Sequence, residues 1–224
     1  MAHMGIATAG ESRMKIAILG AESTGKSMLA AALDAHLSAS GTRVYRVDEY
    51  LREWCETHQR TPRQDEQRHI AQTQIMRINA APDAHVLIAD TTPLMTAVYS
   101  QLVFNDHSLD SLALEHQAMF DITLLTGLDI EWQSDGLQRD GAHVREPVDQ
   151  KIRNLLTQAH LPFQVVYGLG QQRLENALFC IGKQASEWAK KLARSSPPTR
   201  WSGPCETCGD GDCEHRLFTD LLKP

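Results

Sequence analysis

Positive charge is scarce in this sequence. Its 224 residues carry 22 lysines and arginines against 28 aspartates and glutamates, a net charge of −6, with a pI near 5.9. That balance implies no basic face and argues against a nucleic-acid partner. Long apolar runs are missing too: none approaches the roughly 18 residues that a membrane span needs, so no membrane partner is expected. The opening string "MAHMGIATAGESRM" lacks the apolar core and cleavage pattern of a secretory signal. Residues 1–14 read as a leader expected to be disordered, and the chain as cytoplasmic. Cysteine is sparse, five in all, and Cys205, Cys208 and Cys213 crowd together late in the chain. In a reducing compartment such crowding points to metal or free thiols before disulfides. No Ser-His-Asp or Cys-His arrangement stands out among the ten scattered histidines. An N-K-x-D guanine-reading string is also missing; "TGLD" at 126–129 lacks the lysine, which weakens a GTPase switch.

What is present favours one sizeable core, since 42% of the residues are hydrophobic and the chain is too short for two full domains plus a tail. Short apolar or alternating runs predict strands over 15–19, 43–47, 85–90, 122–126 and 163–168. Helical patterns fall between and after them, over 26–39, 64–80, 94–101, 109–119, 148–159 and 171–192. The last is the clearest amphipathic stretch, with Leu174, Ala177, Leu178, Ile181, Ala185, Trp188, Ala189 and Leu192 on one stripe. The alternation predicts an α/β fold, a parallel five-stranded sheet flanked by helices. Residues 15–195 form the expected domain, and 196–224 an irregular tail introduced by "RSSPPTRWSGP".

The strand at 15–19 runs into "LGAESTGKS", which satisfies the phosphate-loop pattern G-x-x-x-x-G-K-[ST]. In such a P-loop NTPase, glycines let backbone N–H groups close on phosphate oxygens and the next helix adds its positive end. Gly20, Glu22, Ser23, Thr24, Gly25, Lys26, Ser27 and Met28 are the nucleotide-binding candidates. Lys26 is expected to reach the β- and γ-phosphates, and the Ser27 hydroxyl to ligate Mg²⁺. Asp90 closes a strand and suits the acidic Mg²⁺ residue; the alternative is a cap for the next helix. Asp48 and Glu49 end the neighbouring strand, where a carboxylate can take the acceptor's proton or hold a ribose. Asp48, nearer the strand, is the preferred base. The other reading is a cap with a salt bridge to Arg52.

Residues 127–145, "GLDIEWQSDGLQRDGAHVR", have no clear period and read as a lid. An arginine there, Arg139 or Arg145, can neutralise charge on a transferring phosphoryl group, and Trp132 can stack on a base. In parallel sheets ligands bind at the carboxyl ends of strands. The Gly20 loop, the Asp48-Glu49 pair, Asp90 and the lid segment therefore converge on one edge.

The strings "GAESTGKS", "DEYLREWCETH", "HVLIADTTPLMTAVYS" and "LLTGLDIEWQSDGLQRDG" recur in this order in the nicotinamide-riboside-kinase-type P-loop ATPases. Over roughly residues 15–192 the chain resembles that family, best known as the C-terminal kinase domain of the bifunctional NAD-biosynthesis regulators. The resemblance implies ATP-dependent phosphorylation of the 5′-hydroxyl of nicotinamide riboside, a small-molecule nucleoside substrate. It places Asp48, Glu49 and Tyr50 at the nucleoside, Asp90 at magnesium, and Trp132, Asp135 and Arg139 in the lid and substrate region. No adenylyltransferase or DNA-binding module is carried over with it.

Two other readings stay open: a nucleotide-binding regulator that recruits an unidentified protein partner, and a kinase of another nucleoside or nucleotide. The tail "CETCGDGDCEH" offers Cys205, Cys208, Cys213 and His215 as candidate zinc ligands. Cys213 and His215 are one residue apart, an awkward second half, and the alternative is a tail of free thiols. Metal analysis of chelator-free protein decides between them. One equivalent of zinc, lost in Cys205→Ala, marks a site; metal-free native protein rules it out.

Overall fold

The computed structural model describes residues 13–132 and 142–184. Strands and helices alternate through them as β1 (Met14–Leu19), α1 (Lys26–Ala39), β2 (Val44–Val47), α2 (Tyr50–His58), α3 (Gln64–Asn79), β3 (Val86–Asp90), α4 (Pro93–Phe104), α5 (Asp110–Gln117), β4 (Ile122–Thr126), α6 (Arg145–Gln158), β5 (Gln164–Val166) and α7 (Gly170–Gln184). The five strands form one sheet of order β2-β3-β1-β4-β5, and every pairing is parallel. The chain leaves β1 toward one side of the sheet and later returns to the other. The crevice at the carboxyl end of β1 is therefore the switch point where such sheets take ligands.

Alternation along the strands feeds two cores, because successive side chains point to opposite faces. Ile16, Ile18, Val86, Ile88, Ile122 and Leu124 pack with Leu29, Leu33 and Leu37 of α1 and Leu174, Ala177, Leu178 and Ile181 of α7. The other face joins Leu19 and Leu125 to Leu94, Met95 and Val98 of α4 and to Val148, Ile152 and Leu156 of α6. Burying each of these leucine or isoleucine side chains contributes about 2 kcal/mol. Four of the eight residues expected on the last helix's stripe are thus in the core. Ala185, Trp188, Ala189 and Leu192 lie outside the described residues, as do 1–12 of the leader and the tail after 195.

Three local readings change. β1 begins at Met14, which pairs with Val86 and is 6% exposed, so this residue belongs to the sheet and not to the leader. Helix α2 was not expected; its only buried side chains, Trp54 and Cys55, are too few to write a stripe, and they pack on Ile70 of α3. Helix α6 starts at Arg145, so Arg145 is a buried helix residue and not part of an irregular loop. Among the described residues, no helix is long and apolar enough to cross a membrane.

Beneath α5, both ring nitrogens of His116 are buried without a hydrogen-bond partner, and the ring meets Phe120 edge-on at 5.6 Å. Burial, aided by the charge of Lys15, lowers its pKa to about 4. The unfolded chain binds this proton near pH 6.5 and the folded chain only near 4, so stability falls as pH drops through that window. We expect His116→Leu to lose up to about 3 kcal/mol less than wild type between pH 7 and pH 4, read from urea denaturation at both pH values.

Candidate nucleotide and acceptor site

The loop between β1 and α1 is shaped by what it leaves out. Gly20 has φ 152°, and a β-carbon there would lie 2.0 Å from Oγ1 of Thr126 and 2.9 Å from Oγ1 of Thr24. Those hydroxyls are 2.6 Å apart. Thr24 Oγ1 donates to the Ala21 carbonyl at 2.7 Å, and Thr126 Oγ1 also faces the Leu19 carbonyl at 3.1 Å. The end of β4 is thereby tied to the loop after β1. Gly25, with φ 74°, caps α1, and Ser23 also has a positive φ, 53°. These left-handed residues fold the loop back over the start of α1.

Lys26 follows, half-buried, and donates to the Ala21 carbonyl at 2.9 Å. Burial lowers its pKa; the charges of Glu49, Asp90 and Glu22, in that order, resist the shift, and Arg52 adds to it. Three carboxylates therefore surround the one ammonium. Asp90 ends β3 at 3% exposure, and its Oδ1 is buried without a hydrogen-bond partner. The cap of α4 is Thr92, whose side chain accepts from Leu94 N, followed by Pro93 in the first turn. Asp90 is thus not spent as a helix cap. Its oxygen and the Ser27 hydroxyl suit a hard cation completed by phosphate and water. No three His, Cys, Asp or Glu side chains form a metal cage among the described residues.

The neighbouring carboxylates part company. Asp48 points outward, 68% exposed, and accepts from Arg46 Nε at 2.8 Å. The Glu49 side chain is 13% exposed and lies 4.0 Å from Arg52 Nε. The reason is geometric: Val47 is buried, Asp48 takes the opposite side, and the chain turns at Glu49 into α2. The preference for Asp48 as base is therefore not supported by its position. Tyr50 begins α2 with its N–H on Gln74 Oε1 at 2.8 Å, its ring under the Arg77 guanidinium at 4.4 Å and edge-on to His69.

A cavity of about 860 Å³ opens beside the loop, lined by Ser23 to Leu29, Ala32, Arg52, Ile130, Glu131, Leu169 to Gln171, Arg173 and Leu174. Met28, 74% exposed, forms part of its mouth. Trp132 is half-buried with Nε1 lacking a hydrogen-bond partner. Asp135, Arg139 and the four tail residues Cys205, Cys208, Cys213 and His215 lie outside the described residues. A second cavity, of about 570 Å³, borders Arg63, Arg68, Asp106 and Ser108 and contains none of these residues.

Several members of the site carry no motif signal of their own. Arg173 of α7, 4% exposed, donates from Nη1 to the Thr24 carbonyl and from Nη2 to Asp129 Oδ1 at 2.7 Å. Arg145, 7% exposed, has Nε and Nη2 buried without a partner and lies close enough that its charge lowers the Arg173 pKa, after the larger effect of burial. Asp129 and Thr126 stand in "TGLD", where no spacing marks either as a partner of Thr24 or Arg173. Nothing in the sequence joins Arg173 to Thr24, 149 residues away.

Residues 15–173 match the AAA domain family. A solved structure of NadR protein in complex with NR superimposes with a TM-score of 0.64 at 18% identity, over 77% of this chain and 51% of that one. A second, NadR protein in complex with NAD and AMP-PNP, gives 0.60 at 18% identity over 77% and 49%. Deoxyadenosine kinase from M. mycoides with bound dATP gives 0.54 at 17% identity over 75% and 98%. The chain spans about half the length of the NadR chains. Among curated proteins no sequence matches. The likenesses agree with the strand order in giving a P-loop kinase-type fold.

Gly20→Ala tests the loop geometry, because its methyl would overlap Thr126 Oγ1. We expect a loss of at least about 2 kcal/mol in urea denaturation and at least tenfold weaker binding of a fluorescent ATP analogue with Mg²⁺.

Proposed function

The chain belongs to the AAA domain family, and from that membership and the site we propose that it is a Mg-ATP-dependent kinase of a small hydroxyl-bearing acceptor. The observation that carries this reading is the position of Glu49. A nucleotide switch needs a phosphate cradle and a cation, whereas a kinase also needs a base beside the γ-phosphate. Glu49 is a nearly buried carboxylate whose charge acts on Lys26, with the P-loop on one side and α2 on the other.

In this reading the phosphates lie along the Gly20–Ser27 loop and the base occupies the cavity wall of Ile130, Leu169 and Leu174. Ser27 and Asp90 hold Mg²⁺, which when bound neutralises charge on the β- and γ-phosphate oxygens. Glu49 accepts the acceptor's hydroxyl proton as its oxygen bonds to the γ-phosphorus, and the bond to the β-phosphate oxygen breaks to release ADP. Lys26 stays on the charge that develops. Arg145, buried with unpartnered nitrogens, supplies the second cation; Arg139 keeps that role as an alternative. Asp48 moves from base to outer support, and Tyr50, Trp132 and Asp135 remain candidates for holding the acceptor.

As acceptor we propose the 5′-hydroxyl of nicotinamide riboside, supported by the four strings and by the likeness to NadR protein in complex with NR. A purine deoxynucleoside is the second reading, favoured by the likeness to a deoxyadenosine kinase that the chain covers almost end to end. The working boundaries are 14–195 for the kinase domain, which takes in Met14 of β1, and 196–224 for the tail.

The purified 224-residue protein with Mg-ATP is expected to convert nicotinamide riboside to its mononucleotide, followed by chromatography alongside deoxyadenosine and deoxyguanosine. Glu49→Gln is expected to lower kcat by about 10²-fold or more, and Asp48→Asn by less than about threefold. A panel in which no riboside or deoxynucleoside is phosphorylated would overturn the kinase reading and favour the regulator.

A further inference from the structure

Arg173 has an unusual set of attachments for a cavity wall. It comes from the first turns of α7 and is 4% exposed. Its two terminal nitrogens go to different parts of the chain. Nη1 takes the Thr24 carbonyl inside the phosphate loop, and Nη2 takes Asp129 Oδ1 at 2.7 Å. The second oxygen of Asp129 accepts from Gly168 N at 2.6 Å, just before α7. The loop after β1, the start of the segment after β4 and the loop after β5 thus meet on one guanidinium–carboxylate pair.

The peptide bond adds a directional consequence. The Thr24–Gly25 peptide bond is trans, so this planar unit carries its C=O and its N–H on opposite sides. Holding the Thr24 carbonyl on Arg173 aims the Gly25 N–H the other way. It also removes a carbonyl oxygen that would repel a phosphate. Gly25 makes room for this contact: a β-carbon there would stand 3.2 Å from Arg173 Nη1 and 3.0 Å from Ile130 Cδ1. A lysine can satisfy one of the two acceptors but cannot span both as the planar fork does.

We infer that Arg173, braced by Asp129, is a positioning residue that sets the phosphate loop in its N–H-inward conformation before nucleotide arrives. The inference rests on nucleotide binding at this loop but not on the identity of the acceptor. It assigns Arg173 to ground-state binding of the nucleotide and not to the transferring phosphoryl group. Loss of the guanidinium lets the Thr24–Gly25 peptide rotate, so ATP binds more weakly while the chemical step in the saturated enzyme is little changed.

The test is equilibrium titration of the 224-residue protein with a fluorescent ATP analogue and Mg²⁺, alongside steady-state turnover. Arg173→Ala should weaken analogue binding at least tenfold and raise the KM for ATP to match, with kcat at saturating ATP within about threefold of wild type. Millimolar guanidinium should recover part of the binding in that variant and have no such effect on wild type. Arg173→Lys, which keeps the charge should the alanine variant unfold, should fall between the two. Asp129→Asn should weaken binding as well and add little when combined with Arg173→Ala. Unchanged analogue binding in Arg173→Ala or Arg173→Lys would overturn the inference. A kcat loss at unchanged KM would overturn it too, placing Arg173 on the transferring phosphoryl instead. Wild-type protein that fails to bind the analogue would overturn the nucleotide reading itself, a result distinct from either.

Discussion

The Lys26 ammonium sits where burial works against its charge, and carboxylates from the surrounding elements oppose that effect. Glu49 arrives from the end of β2, Asp90 from the end of β3 and Glu22 from the loop itself. Each carboxylate alone in such a place would be costly, and so would the ammonium. Together they offset one another, and the carboxylates supply hard oxygen donors of the kind a divalent cation takes. The position of the neighbouring strands matters for this balance, because β1 lies between β3 and β4, and β2 lies beyond β3.

That placement depends in turn on two apolar layers that share no residues. The α1 and α7 side buries one parity of β1, β3 and β4; the other parity of β1 and β4 packs toward α4 and α6, and that of β3 packs with Val47 of β2 and Ile78 of α3. A slip of one residue in β1 would exchange the faces and turn the loop's first glycine away from Thr126. The hydroxyl pair of Thr24 and Thr126 therefore reads out the correct register at the edge where chemistry takes place. With a β-carbon at Gly20 excluded by that pair, the glycine is required by its neighbour from β4 as well as by its own φ.

Two arginines near the phosphate loop are handled differently. Arg173 is held by Asp129 and a main-chain carbonyl, while Arg145 nearby keeps two buried nitrogens without partners. Two like charges this close in a poorly solvated region oppose each other, and a bound anion would relieve that repulsion. One arginine is thus held by the protein, in the first turn of α7, while the other opens α6.

Local chemistry made much of this molecule legible in advance. Strands over 15–19 and 122–126 and the helix over 26–39 follow from short-range periodicity and from a glycine-rich loop whose backbone demands are local. The parallel character of the sheet follows from alternation, since only helical crossovers join parallel neighbours. Helix α2 was hidden because two buried residues make no period. The choice between Asp48 and Glu49 was also beyond the sequence, since adjacent side chains diverge and only the turn into α2 decides which faces Lys26. The meeting of Thr24, Asp129 and Arg173 could not be read at all. It arises from strand order, which is set by how two apolar faces are covered in three dimensions, and it brings together groups that no spacing along the chain relates.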